Sequence, residues 1–114
     1  MARVKSPRTK KHKKIRLAAR GYRQARRRRI KAAKEALLHA GQYAYAGRKK
    51  KKRDLRKLWI MRLNAASREE GLSYSSLISG LKKQKIEIDR KILSDIAIND
   101  PDTFKKIVDK IKNA

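Results

Sequence analysis

The apolar positions of this chain divide it in two. From residue 59 onward nineteen large apolar side chains fall in 56 positions, whereas residues 1–58 hold twelve, diluted by ten alanines. The denser half punctuates itself into helices. Leu55, Leu58, Trp59, Leu63 and Ala66 recur at helical spacing on one face, and Gly71 after Glu70 predicts the stop of that helix. Ser73 predicts the N-cap of a short helix carrying Leu77, Ile78 and Leu81. Residues 82–87 read as a polar link. Asp89 predicts the N-cap of a helix over 90–98, with Ile88 placed to staple onto Leu93. Asp100 followed by Pro101 is an N-cap with proline in the first helical position, and Phe104, Ile107, Val108 and Ile111 then fall at i, i+3, i+4 and i+7. No segment reads as a convincing strand. The expectation is four helices around one small core in residues 59–114, with Trp59 and Phe104 as its large members.

The sparser half is helix-prone without being core-forming. Ala, Arg, Lys, Gln and Leu dominate it, all good helix formers. Pro7 marks an extended start, a first helix is expected over about 8–20, and Gly21 breaks it. A second long helix is expected, weakened at Gly41 and Gly47 without necessarily ending there, and running at its fullest from Gln24 to Glu70. Its apolar stripe (Ala25, Ile30, Ala33, Leu37, Ala40) is narrow. Such a helix would run about 70 Å at ~1.5 Å per residue, far longer than a small domain needs. The fold class expected is therefore all-α, with a long basic N-terminal helical arm (1–58), broken near Gly21, leading into a compact C-terminal helical domain (59–114). The long helix is expected to continue across that boundary.

Charge turns this division into a functional statement. Residues 1–58 carry twenty-four Lys and Arg against Glu35 and Asp54, a net of +22, while residues 59–114 carry eleven against eight, a net of +3. The total of +25 and a pI of 11.1 favour a polyanionic partner. An arm so charged repels itself on collapsing and has little to bury. No cysteine is present, which removes disulfide and thiolate chemistry. There is no apolar run of the kind a secretory signal or a membrane span requires, so the chain is expected to be soluble and intracellular.

Catalysis finds little support. His12 and His39 lie in the most basic region without a neighbouring acidic or thiol cluster, Glu69 and Glu70 diverge at i and i+1, and Gly21, Gly41 and Gly47 lack phosphate-loop spacing. Neither an enzymatic role, a metal, a cofactor nor a small-molecule substrate is expected. The basic runs are the chemical signal: Lys10, Lys11, His12, Lys13, Lys14 and Arg16; residues 26–29, with Arg26 and Arg27; and residues 48–53, with Arg48, Lys52 and Arg53. Each is too dense to form one solvated helix face. Guanidinium groups donate in pairs to phosphate and stack on bases. Tyr22, Tyr43 and Tyr45 are interleaved with these runs; for them, stacking on unpaired bases and packing on the helix surface stay open as alternatives.

Among polyanions, a membrane surface would need a broad apolar face that residues 8–58 lack. Duplex DNA is the stronger competitor, because residues 65–79 hold a helix, a glycine turn and a second helix. That second helix, however, has no Arg, Lys, Asn or Gln before Lys82, and the charge lies on a different element. An arm basic on all sides suits a folded RNA whose helices surround it.

The residues also carry a resemblance. Ala2-Arg3-Val4-Lys5, His12-Lys13-Lys14, Gly21-Tyr22 and Ala40-Gly41-Gln42-Tyr43-Ala44-Tyr45 come in order. Lys52-Arg53-Asp54-Leu55-Arg56-Lys57-Leu58-Trp59-Ile60-Met61-Arg62-Leu63-Asn64-Ala65-Ala66 follows, then Gly71-Leu72-Ser73-Tyr74-Ser75, Gly80-Leu81 and Ile88-Asp89-Arg90-Lys91-Ile92-Leu93. In these blocks the chain resembles the bacterial and organellar large-subunit ribosomal protein family numbered twenty. Met61 departs from the smaller residue usual in the family, and residues 26–29 and Ala46-Gly47 are also atypical. The resemblance implies a structural constituent of the large ribosomal subunit that binds 23S ribosomal RNA directly and early in assembly, in the cytoplasm, beside neighbouring large-subunit proteins. In some bacteria it also implies binding to the protein's own messenger as a translational repressor. On this reading phosphate contacts fall to Arg3, Lys5, Lys13, Lys14, Arg26, Arg53 and Arg56, with Arg62, Arg90 and Lys91 on the compact domain. The competing reading is a nucleoid-type DNA-compacting protein; an RNA-processing enzyme subunit would need a catalytic cluster that is missing.

Overall fold

The computed structural model describes residues 6–114, which form six helices and no strand. They are α1 (Pro7–Ala18), α2 (Ala25–Arg28), α3 (Ile30–Glu69), α4 (Tyr74–Lys83), α5 (Arg90–Asn99) and α6 (Pro101–Lys112). The all-α expectation holds. The chain divides into two compact units, Met1–Lys49 and Lys50–Ala114, and α3 contributes to each.

In the first unit, the Ser6 hydroxyl caps α1 by accepting from the Thr9 amide at 3.3 Å, and Pro7 occupies the first turn, where its missing N–H costs nothing. Gly21 ends the region in the left-handed conformation at φ +89°, as its position in the sequence predicts. The expected helix from Gln24 to Glu70 is corrected here. Gln24 itself has φ +49°, only one turn of helix follows, and Arg29 is extended (φ −84°, ψ 125°) before α3 begins. The break is set by the turn the chain makes between α1 and α3 and not by charge, since residues 48–53 are as densely basic and stay helical within α3. Ala19 and Ala33 are completely buried, so backbone approaches closely at both. Gly41 and Gly47 lie inside α3 without interrupting it.

The second unit has a conventional core. Leu63 of α3, Leu77 and Leu81 of α4, Leu93 of α5, and Phe104 and Val108 of α6 form one buried cluster. Leu72, Tyr74, Ile78, Ile86, Ile88, Ile96, Ile107 and Ile111 close around it. Fully burying a side chain of this kind contributes about 1.5–3 kcal/mol. Phe104 fills the role expected of it. Trp59 does not: it is half-buried and stands outside the cluster, as does Leu58, while Leu55 is exposed. Helices α4–α6 are only ten to twelve residues long, and only Leu63 and Ala66 of the predicted α3 stripe pack in the core they form.

Helix ends follow the sequence closely. Gly71 (φ +82°) donates to the Arg68 carbonyl at 3.0 Å and Leu72 donates to that of Ser67 at 2.8 Å, which is the paired closure of a Schellman motif. Ser73 accepts from the Ser76 amide at 3.3 Å and Asp100 from the Thr103 amide at 3.3 Å. Asp89 occupies its cap position with an extended backbone but no side-chain hydrogen bond. The link at 82–87 contains a second Schellman closure: Ile86 donates to Leu81 at 2.9 Å and Lys85 to Lys82 at 3.1 Å, with Lys85 left-handed at φ +56°. Two serines are fully buried, and each satisfies its hydroxyl on the carbonyl three residues back: Ser67 on Asn64 at 3.1 Å, Ser94 on Lys91 at 3.0 Å. The Lys112 ammonium donates to the Glu70 carbonyl, tying the end of α6 to the end of α3.

Candidate nucleic-acid interface

Residues 1–49 carry eighteen basic side chains and one acidic one, a net of +17. In α1, Lys10, Lys11, Lys13, Lys14 and Arg16 are exposed and His12 is half-buried; a 100° step per residue distributes them around the whole helix. Arg26 and Arg27 are exposed on the single turn of α2. Arg3 and Lys5 lie outside the described residues.

In α3, every residue from 38 to 57 is exposed. More than five turns of helix therefore have no buried face at all. This segment holds Tyr43, Tyr45, Arg48, Lys52, Arg53 and Arg56. Over 48–57 the helix is polar on almost every side and draws little stability from packing. Here it is also opposed by its own charge: Arg48–Lys52, Lys49–Arg53, Lys52–Arg56 and Arg53–Lys57 are like-charged pairs at i, i+4. At roughly 0.2–0.5 kcal/mol each, they cost about 1–2 kcal/mol in water. A surrounding polyanion reverses the sign of that term.

The tyrosines are presented outward. Tyr43 and Tyr45 are 73% and 58% exposed, so much of each ring is open to solvent. Tyr43 lies against His39 with ring centroids 6.3 Å apart and planes inclined by 25°, and the Lys49 ammonium sits 4.9 Å from the Tyr45 ring centre. Glu35 approaches His39 Nε2 at 4.0 Å, one turn earlier on the same ridge. Tyr22 and Arg26 join that ridge in a cleft of about 600 Å³ also lined by Ala32, Ala36 and Ala40. The sequence presented Tyr22 and Tyr43 as separate candidates and left Glu35 and His39 aside. The i, i+4, i+8 spacing of Glu35, His39 and Tyr43, parallel to that of the three alanines, was the signal for the grouping.

On the second unit, Arg62 and Lys91 are exposed and stand free of ion pairs among the described residues. Arg90 is half-buried, and its Nε donates to the Tyr74 hydroxyl at 2.7 Å, which joins α5 to α4. Its guanidinium is thus held in place by the fold. No group of three or more potential metal ligands occurs among the described residues, and no helix is long and apolar enough to cross a membrane. Among the described residues the one titration clearly displaced is that of Asp100, lowered by hydrogen bonds from the Thr103 hydroxyl and amide; it serves the α6 cap.

An all-helical protein with a polycationic arm and a small core of its own has the make-up of one class, the structural proteins that accompany nucleic acid. Comparison with known proteins narrows the class to a family. The profile of the family described as ribosomal protein L20 matches residues 2–107, and the chain belongs to that family. Relatives named large ribosomal subunit protein bL20 include that of Leptothrix cholodnii, 56% identical over 101 residues, which cover 89% of this chain and 86% of the relative. Those of Aeromonas hydrophila and Aeromonas salmonicida are each 58% identical over 103 residues, covering 90% of this chain and 87% of theirs.

Proposed function

We propose that this chain is a structural constituent of the large ribosomal subunit, that it binds 23S ribosomal RNA directly, and that it promotes early assembly by neutralising phosphates where RNA helices converge. The observation that carries the reading is the stretch 48–57 of α3, exposed on every side and with basic residues around the whole helix. A straight duplex touches one side of such a helix, whereas folded RNA can enclose it. Phosphate contacts from the arm would position the protein; selectivity would come from RNA shape and a few unpaired bases. Lys13, Lys14, Arg26, Arg53 and Arg56 are assigned to phosphates of the enclosing RNA, and Arg62, Arg90 and Lys91 to the surface of the compact unit. Membership of the ribosomal protein L20 family supports the choice of RNA.

The test is binding of the full chain to large-subunit RNA and to duplex DNA of equal length at about 0.2–0.3 M salt, where non-specific phosphate binding is weak. The RNA should bind far more tightly, with a log–log salt slope of about −7 to −9 for ~10 phosphate contacts. Equal affinity for the two would sink this reading in favour of a DNA-compacting protein.

A further inference from the structure

The geometry points to a base-reading site in the arm: the cleft lined by Tyr22, Arg26, Glu35, His39 and Tyr43 takes one unstacked guanine of a bound RNA, with the Glu35 carboxylate accepting from its Watson–Crick edge. This rests on the RNA-binding reading above and adds to it a position of sequence selectivity.

Three observations converge. First, the cleft, about 600 Å³, is within the size range of sites that hold a small ligand and is the place in the first unit where aromatic, cationic and anionic side chains meet. Its lining includes Ala32, Ala36 and Ala40, small side chains at i, i+4 and i+8 that span about 12 Å along α3 at ~1.5 Å per residue. Second, the aromatic wall is already arranged in a stack. His39 and Tyr43 lie nearly parallel at 6.3 Å, Tyr43 is largely exposed, and Tyr22 and Arg26 line the same cleft. An unpaired base can extend such a stack. Third, Glu35 is the one carboxylate among the first 53 residues. It is 70% exposed, and its one ion-pair neighbour among the described residues is His39 at 4.0 Å. Both of its oxygens remain open to a donor.

The carboxylate decides what enters. A cleft meant for phosphate would gain from a lysine here and lose from a glutamate, because like charges repel at contact distance. A base edge behaves oppositely. Guanine presents N1–H and the 2-amino group side by side, two parallel donors that match two carboxylate oxygens as a guanidinium does. Adenine and cytosine each offer one amino group beside an acceptor nitrogen, which faces the second oxygen unfavourably. Uracil offers a single imino donor flanked by two carbonyls. The surrounding basic residues hold the sugar–phosphate chain, so the carboxylate is left to the base.

The experiment compares the full chain binding to a set of RNA hairpins that share one stem and differ in a single unpaired loop nucleotide: G, A, C, U or an abasic residue. Competition at about 0.15 M salt should show about tenfold preference for G, the discrimination that one bidentate base contact gives. Glu35→Gln should erase most of that preference and leave the salt slope unchanged. The opposite result is well defined. If Glu35 merely dilutes the arm's charge, Glu35→Gln removes a repulsion and tightens all five hairpins alike, which overturns the proposal. Equal binding of all five by the unsubstituted chain overturns it too, while leaving the RNA-binding reading intact. Failure to bind any hairpin better than duplex DNA would remove the RNA-binding reading itself. Guanosine monophosphate provides the remaining arm: displacement of the G hairpin at equimolar nucleotide would mean that the ligand is a free nucleotide and not an RNA residue.

Discussion

Replacing Gly80 with alanine tests how tightly α4 and α6 are packed. Gly80 lies inside α4, where alanine should be the better residue by about 0.8–1 kcal/mol of helix propensity. A Cβ built there would stand 2.1 Å from Ile111 Cγ2, 3.3 Å from its Cβ and 3.4 Å from its Cγ1. The optimum carbon–carbon separation is about 3.5–4.0 Å, so the nearest overlap is well over 1 Å. Rotating χ1 of Ile111 moves the methyl but leaves its own Cβ tight against the newcomer. Overpacking of this kind costs about 1–3 kcal/mol. Gly80→Ala should therefore destabilise the second unit by about 1 kcal/mol net, lowering its melting temperature by about 4–8 °C for a unit of this size. The decisive comparison is a double-mutant cycle in urea, followed by circular dichroism. Ile111→Ala alone should destabilise; adding Gly80→Ala to it should restore about 1 kcal/mol, because only the propensity gain remains. A Gly80→Ala substitution that stabilises with Ile111 intact, or a coupling energy near zero, would refute the account of close helix approach.

Three further outcomes follow from particular residues. Lys85 is held at φ +56° in the Schellman closure after α4, a conformation that costs a side-chain-bearing residue about 1 kcal/mol or more, so Lys85→Gly should raise the urea midpoint without changing its slope. Amides of residues 48–57 should exchange with solvent much faster than those of Leu77, Leu93 or Val108 in the free protein, and should slow markedly on adding RNA; equal protection in free and bound states would contradict the charge argument. Asp100 titrates below its ordinary value of 3.8 because the folded state hydrogen-bonds its charged form, so its contribution is present above that value and is lost as pH falls through the lower folded value. In the Asp100→Asn variant that part of the acid destabilisation should vanish, and an unchanged acid-unfolding profile below pH 4 would show the cap to be idle.

Much of the architecture was readable from local chemistry, because caps and stops are built from neighbours in the chain. Ser73, Gly71 and the Asp100-Pro101 pair mark helix ends through hydrogen bonds to amides and carbonyls three to five residues away. The stripe Phe104, Ile107, Val108, Ile111 faces the core because a 3.6-residue period leaves it no other choice. The polycationic arm, too, is a property of composition. What the sequence could not determine were matters of reach and juxtaposition. Leu55, Leu58 and Trp59 share the face of Leu63, yet Leu63 and Ala66 alone from that stripe join the core, because the length and placement of α4–α6 set where it stops. The break at Arg29 and the left-handed Lys85 oppose the local preferences of arginine and lysine, and exist because the chain must turn at those points. The cleft that brings Tyr22 and Arg26 to the ridge of Glu35, His39 and Tyr43 depends on how the chain folds back around that break. Periodicity assigns a residue to a face; only the folded chain supplies what that face meets.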